Sequence, residues 1–130
     1  MLNTILIVDD SATARMVIKR CIEIAGYSNA VFIEANDGIQ ALEKVVENKI
    51  DLVLTDLTMP NMDGKSLLKH LRANPRLTYI PVIVITSSGS ESIKEDLIKL
   101  TATAVLNKPI SPAVIARELN KIEKNPSWGM

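Results

Sequence analysis

The chain has 130 residues, the length of one ordinary domain, and a domain of this size buries enough surface to fold without disulfides or structural metals. Lysine plus arginine and aspartate plus glutamate each number 15, and the resulting zero formal charge argues against a dedicated nucleic-acid-binding protein, which is normally strongly basic. The single cysteine excludes an internal disulfide and favours a cytoplasmic setting, and the short apolar N-terminal segment fits neither a signal peptide nor a membrane span.

Apolar runs and amphipathic segments alternate along the chain and predict five strands and five helices. The runs are rich in β-branched and aliphatic residues, and their near-continuous apolarity is typical of strands buried on both faces. The segments between them carry apolar residues at helical spacing. In chain order we predict strand 4–8, helix 12–25, strand 31–34, helix 38–47, strand 52–55, helix 65–73, strand 82–85, helix 90–100, strand 104–106 and helix 112–123.

Residues that commonly start and stop helices agree with these boundaries. Ser111-Pro112 places a capping hydroxyl before a proline at the first position of the last helix. Gly26 is a C-terminal stop for the first helix, and Pro75 lies just beyond the third. No linker, repeat or low-complexity segment interrupts the chain, so we predict one domain over residues 1–124 and a short tail over 125–130.

Strands that alternate with helices predict an α/β fold in which a doubly wound parallel sheet is covered by helices on both faces. We expect the five-stranded (βα)5 arrangement with the flavodoxin-like strand order 2-1-3-4-5. This order makes strands 1 and 3 neighbours at a topological switch point. Ligands of such sheets bind there, outside the carboxyl ends of the strands.

Polar residues follow several of the predicted strands at the point where each one ends. Asp9 and Asp10 follow strand 1, Asp56 follows strand 3, Thr86 follows strand 4, and Lys108 comes shortly after strand 5. Because adjacent strands lie about 4.8 Å apart, we expect the three carboxylates to converge in one pocket.

Three converging carboxylates repel one another, since two unit charges about 4 Å apart interact by about 4 kcal/mol at a near-surface dielectric. Such a cluster needs bound protons or a cation, and a set of oxygen ligands without histidine or thiolate favours a hard ion such as Mg²⁺. A lysine and a threonine on the same edge indicate a second anion, for which a phosphoryl group is suitable. One carboxylate would then act as the nucleophile.

Four motifs at these strand ends, "ILIVDDS", "DLVLTDLTMPNMDG", "VIVITSS" and "NKP", resemble the receiver domain of two-component response regulators. The resemblance covers the chain to about residue 124. It implies that Asp56 accepts a phosphoryl group from a phosphohistidine of a sensor kinase or of a histidine phosphotransfer protein. It implies no enzymatic activity beyond this self-phosphorylation and a later autodephosphorylation.

The same resemblance implies a ligand set for the ion. Asp10, Asp56 and the backbone carbonyl of Thr58 would bind Mg²⁺ (or Mn²⁺) directly, and Asp9 would bind it partly through water. Thr86 and Lys108 would bind the phosphoryl oxygens, which brings the implied catalytic residues to Asp56, Thr86 and Lys108. In relatives Thr58 and Ser88 occupy positions that tune dephosphorylation.

The implied output face, around residues 90–122, departs from the family pattern. Val105 stands where relatives carry the switch aromatic, Ile110 stands where many carry phenylalanine, and the segment before strand 5 lacks the usual glycine. Pro109 would form a cis peptide bond with Lys108, as the family pattern implies. A valine can repack when the threonine moves, but it has no ring to rotate.

We therefore predict a stand-alone receiver that switches protein–protein interactions in chemotaxis or in a phosphorelay, with an unknown downstream target. One alternative is a receiver-like module that binds a partner without using phosphorylation. Another is a flavin-binding protein of the flavodoxin type, although the carboxylates would repel the phosphate of the flavin.

Charged and aromatic residues outside the pocket receive simpler interpretations. The basic residues on and after the third helix, Lys65, Lys69, Arg72 and Arg76, are interpreted as a solvated face. Arg15 and Lys19 are a kinase-docking surface by family analogy. Trp128 is a lone aromatic in the tail, and the sequence does not assign it a role.

Overall fold

The computed structural model describes residues 2–87 and 89–124, so the predictions for Ser88, Trp128 and the tail lie outside the described residues. Strands and α-helices alternate as predicted. In chain order they are β1 (Thr4–Val8), α1 (Ala12–Ile22), β2 (Val31–Ala35), α2 (Gly38–Glu47), β3 (Leu52–Asp56), α3 (Gly64–Ala73), β4 (Val82–Thr86), α4 (Glu91–Lys99), β5 (Ala104–Asn107) and α5 (Pro112–Lys124).

The strands form one parallel sheet in the order β2-β1-β3-β4-β5, which confirms the predicted fold. The register pairs Val8 with Thr55 and Thr86 with Asn107. Four of the strands continue one residue beyond the predicted end, because backbone pairing does not stop where apolar side chains stop. Asp56 and Thr86 are therefore the last residues of their strands rather than the first residues of loops.

Both faces of the sheet are buried against helices. Alternate strand residues such as Leu6 and Val53 pack with α2, α3 and α4, whereas Ile5 and Leu54 pack with α1 and α5. Cys21 is a free, buried thiol in the second of these cores. Within the described residues no helix combines the length and apolarity that a membrane crossing requires.

A side-chain cap lies at the N-terminus of every α-helix of the described chain and so fixes the residue at which each helix begins. The capping residues are Ser11, Asp37, Asp63, Ser90 and Ser111. The first helix ends earlier than predicted, at Ile22, and a π-helical turn over Glu23–Tyr27 follows it. Gly26 in this turn has φ of 112°, a conformation that favours glycine.

Gly64 allows α3 to begin directly against the end of β3. A Cβ atom at this position would overlap the carbonyl oxygen of Asp56 and would lie 3.1 Å from the Cα of Leu57. The backbone N–H of Gly64 donates to the carbonyl of Leu57 at 2.8 Å. The approach of α3 thus holds the backbone that carries Asp56.

The solvated-face interpretation is wrong for Arg72. Its Nε donates to the hydroxyl of Thr101 at 2.8 Å, and its Nη1 donates to the carbonyls of Thr78 and Ile80 at 3.0 and 2.8 Å. Its Nη2 donates to the carbonyl of Thr101 at 3.0 Å. The guanidinium therefore joins the loop before β4 to the loop between α4 and β5.

We expect Arg72→Met to lower the free energy of unfolding by about 2–3 kcal/mol, because several carbonyls lose a charged donor. Urea denaturation at neutral pH would measure the loss. Arg76→Met is the matched control: that side chain is exposed and makes no hydrogen bond within the described residues, so its removal should cost under about 0.5 kcal/mol. Equal losses in the two variants would contradict this account of Arg72.

Candidate functional site

The predicted convergence of three carboxylates is confirmed. Asp9 and Asp10 follow β1 and Asp56 ends β3, and one carboxylate oxygen from each lies within 4.8 Å of the others. Asp9 is buried, Asp56 is partly buried and Asp10 is exposed. The cluster therefore extends from the sheet edge out to solvent.

Asp9 is held at each of its polar groups. Its backbone N–H donates to the carbonyl of Ala35 at 3.1 Å, and its own carbonyl accepts from Arg15 at 2.7 Å. Its carboxylate accepts from the backbone N–H of Ser11 at 2.9 Å and from the ammonium of Lys108 at 3.0 Å. By contrast, the carboxylate of Asp10 has no hydrogen bond or ion pair with residues 2–87 and 89–124.

Lys108 supplies the positive charge that faces the cluster. Its Nζ lies 3.0 Å from Asp9 Oδ2 and 3.6 Å from Asp56 Oδ1. Its backbone N–H donates to the carbonyl of Thr86 at 2.9 Å, and its peptide bond with Pro109 is cis, as the resemblance implies. Although burial opposes the charged form, the two carboxylates outweigh it and raise the pKa of Lys108. The side chain therefore stays an ammonium at neutral pH.

The same surroundings disfavour the charged form of Asp56. Burial, and then the charge of Asp9, raise the pKa of Asp56, whereas Lys108 and a hydrogen bond from the backbone N–H of Leu57 act to lower it. When all three carboxylates are ionised, one ammonium leaves two net negative charges on the cluster. A cation that prefers oxygen ligands fits this donor set.

Thr86, Thr58 and Val105 are the other predicted site residues that the structure describes. Thr86 is buried at the end of β4, beside Asn107 of β5. Thr58 is exposed in the loop directly after Asp56. Val105 pairs with Val84, is partly buried, and packs against the core shared with α4. Their roles in binding and switching stay predictions.

The loop between β3 and α3 is tied to the start of α2, a contact that the sequence analysis missed. Asn61, which has φ of 67°, donates from Nδ2 to Asp37 Oδ2 at 2.8 Å, and the carbonyl of Met62 accepts from the backbone N–H of Gly38 at 3.0 Å. Asp37 also caps α2 by accepting from the N–H of Gln40 at 2.8 Å. The one signal in the sequence was Asp37-Gly38 at the start of the helical pattern, which indicates a cap but not a loop partner.

Comparison with known proteins identifies the family. The profile described as "Response regulator receiver domain" matches residues 5–120. "Chemotaxis protein CheY-3" of Vibrio cholerae is 37% identical over 121 residues, which cover 91% of this chain and 89% of that protein. "Chemotaxis protein CheY1" of Helicobacter pylori is 36% identical over 119 residues, which cover 91% and 94% of the two chains.

Solved structures agree with this result. The chemotaxis response regulator CheY4 of Vibrio cholerae superimposes with a TM-score of 0.81 at 28% identity, covering 94% of this chain and 99% of that one. The receiver domain of the Francisella response regulator 1452 gives a TM-score of 0.82 at 30% identity, covering 95% and 98%. The chain belongs to the response regulator receiver domain family.

We expect Asp56→Asn to stabilise the protein at pH 7 in the presence of a chelator, by about 1–2 kcal/mol after screening, because it removes one of three converging charges. Urea denaturation would measure the gain. Excess Mg²⁺ should reduce the difference in stability between the variant and the wild type, since an ion that binds the folded wild type stabilises it. The control is Asp96→Asn, an exposed carboxylate on α4 without a hydrogen bond in the described residues, which should change little. A chelated Asp56→Asn protein less stable than wild type would refute the electrostatic account.

The stabilisation that the Asp37 carboxylate provides through its hydrogen bonds, including that from Asn61, should depend on pH. The hydrogen bond from the N–H of Gln40, and then that from Asn61, lower the pKa of Asp37 below its ordinary 3.8. The stabilisation by its carboxylate is therefore complete above pH 3.8 and is lost as the pH falls through the lowered pKa.

Asp37→Ala should cost about 1–2 kcal/mol at pH 7, and the difference from wild type should shrink as the pH is lowered below 3.8. Urea denaturation of both proteins between neutral and acidic pH provides the measurement. Asp37→Asn retains the cap without the charge, so it should lose less and depend less on pH. A gap between Asp37→Ala and wild type that is constant across the range would show that the carboxylate charge contributes nothing.

Proposed function

We propose that this receiver domain takes a phosphoryl group onto Asp56 from a phosphohistidine of a sensor kinase or of a histidine phosphotransfer protein. The observation that supports this most is the convergence of Asp9, Asp10 and Asp56 around a single ammonium, that of Lys108. A purely structural cluster would gain nothing from a partly buried third acid whose pKa is raised by burial and by the charge of Asp9.

In the proposed reaction a carboxylate oxygen of Asp56 attacks the phosphorus of the phosphohistidine. The bond from phosphorus to the imidazole nitrogen breaks, its electron pair stays on the imidazole, and an acyl phosphate forms on Asp56. Water later attacks that phosphorus, which releases inorganic phosphate and returns the carboxylate. The signal is therefore transient.

The residues around Asp56 have complementary tasks in this proposal. Asp10, Asp56 and the carbonyl of Thr58, with Asp9 partly through water, would hold Mg²⁺ or Mn²⁺, which neutralises charge on the phosphoryl oxygens when bound. Lys108, kept as an ammonium by the carboxylates of Asp9 and Asp56, would donate to a phosphoryl oxygen. The hydroxyl of Thr86 would bind another of these oxygens.

We further propose that the acyl phosphate shifts an existing equilibrium between two arrangements of α4, β5 and α5, and that a downstream protein binds one of them. Val105 would take part by repacking against its core neighbours. The names of the relatives favour chemotaxis as the pathway. The free thiol of Cys21 is consistent with action in the cytoplasm.

The alternative is a module that binds its partner without phosphorylation, and the missing aromatic at Val105 is the observation in its favour. The clustered acids and the paired lysine argue against it, because binding alone does not require them.

Incubation with acetyl phosphate and Mg²⁺ should add one phosphoryl group to the wild-type protein, and intact-protein mass spectrometry would detect it. We expect no adduct on Asp56→Asn and none on the wild type in excess chelator. Asp96→Asn, which removes an exposed carboxylate outside the cluster, should be phosphorylated like the wild type. An adduct on Asp56→Asn, or none on the wild type with both acetyl phosphate and a phosphohistidine donor, would rule the proposal out.

A further inference from the structure

We infer that Arg15 is a positioning residue for the metal site: it holds the peptide group between Asp9 and Asp10 and so aims the carboxylate of Asp10. This inference rests on the function proposed above. Arg15 lies one turn into α1, its side chain is 17% exposed, and its Nη1 donates to the carbonyl of Asp9 at 2.7 Å. Its Nε donates to Glu34 Oε1, also at 2.7 Å. The guanidinium is therefore engaged within the domain, which argues against its use as a free docking group.

The carboxylate of Asp10 lies beside those of Asp9 and Asp56 without side-chain support of its own. Among residues 2–87 and 89–124, nothing bonds to its carboxylate, so the backbone alone sets where that carboxylate lies. The carbonyl of Asp9 and the N–H of Asp10 belong to one planar peptide group. A charged donor on that carbonyl thus fixes the plane from which the Asp10 side chain departs.

The segments on both sides of this peptide group have hydrogen bonds of their own. On one side, Asp9 is held by Ala35 through its N–H and by Lys108 through its carboxylate. On the other side, Ser11 caps α1 by accepting from the N–H of Ala14. Between them, Arg15 supplies the hydrogen bond to the carbonyl of Asp9.

The carboxylate of Glu34 neutralises the charge of Arg15, so that the guanidinium can bond to the Asp9 carbonyl close to a cation site. A free positive charge would compete with a bound divalent ion, whereas the pair with Glu34 leaves hydrogen bonds and no net charge. Glu34 lies on β2, in register with Ile7 of β1, so the sheet fixes its position. Arginine can bond both acceptors at once because its donors form a rigid fork, and lysine cannot reproduce that geometry.

Arg20, which also lies on α1, forms an arginine–glutamate pair that has no link to the metal site. Nη1 of Arg20 lies 3.7 Å from Oε1 of Glu23, and the arginine side chain is 70% exposed. This side chain makes no hydrogen bond to a backbone carbonyl within the described chain. Such exposed pairs contribute little to stability. Arg20 is therefore the matched control for Arg15.

The test is the affinity of the unphosphorylated protein for Mg²⁺, measured by calorimetric titration without a phosphodonor. We expect Arg15→Lys to bind Mg²⁺ about tenfold more weakly than wild type, the usual effect of removing a group that orients a ligand. Arg15→Met should lose at least as much, Glu34→Gln should lose less, and Arg20→Met should match wild type. Circular dichroism at the titration temperature confirms that each variant is folded.

A second measurement reports on position without the ion. In ¹⁵N relaxation of the metal-free protein, the amide of Asp10 should gain fast motion in Arg15→Lys and not in Arg20→Met. This measurement distinguishes a local effect on the position of Asp10 from a general loss of stability. A general loss would increase the motion of amides throughout α1.

The two hypotheses fail differently. If the wild type does not take up Mg²⁺, the proposed function fails and the inference fails with it. If the wild type binds Mg²⁺ but Arg15→Lys binds equally well, or Arg15→Met binds more tightly, charge rather than position governs the site and only the inference is overturned. An Asp10 amide as rigid in Arg15→Lys as in wild type also overturns the inference alone.

Discussion

Repulsion among three carboxylates is the constraint around which the functional edge of this receiver is built. The parallel sheet brings Asp9, Asp10 and Asp56 within 4.8 Å of one another, and only Lys108 offsets them among the described residues. The supports nearby limit how far the acids can move apart. Gly64 brings α3 against the backbone of Asp56, and the ion pair and hydrogen bonds of Asp9 fix it completely. The pocket is thus held ready for a cation at a cost in electrostatic energy.

The apolar core provides the stability that this arrangement requires. Buried aliphatic side chains fill both faces of the sheet, while the charged pocket occupies one edge at the carboxyl ends of the strands. Val105 belongs to the core part of this division, since its side chain packs into the core beside α4.

Short-range patterns in the sequence predicted the strands and helices, and the usual strand order of such α/β sheets then predicted that the acids meet. Apolar runs mark the strands, and a polar residue directly after such a run must lie at the sheet edge. The sequence did not predict the contacts of Arg72, Arg15 or Asn61. Each joins segments far apart in the chain, and a charged residue at a helical spacing gives no sign of whether it faces solvent or a backbone carbonyl. Arg72 belongs by spacing to a surface row, yet its guanidinium lies over two loops.

The pairing of Asp9 with Lys108 joins residues that are 99 positions apart. During translation all three acids are therefore synthesised well before Lys108, whose ammonium offsets part of their charge. Until the final strand docks, a nascent chain carries an unneutralised acidic edge, and a prematurely terminated product keeps it. The charge balance of this edge is consequently reached only after β5 has been synthesised and has docked beside β4.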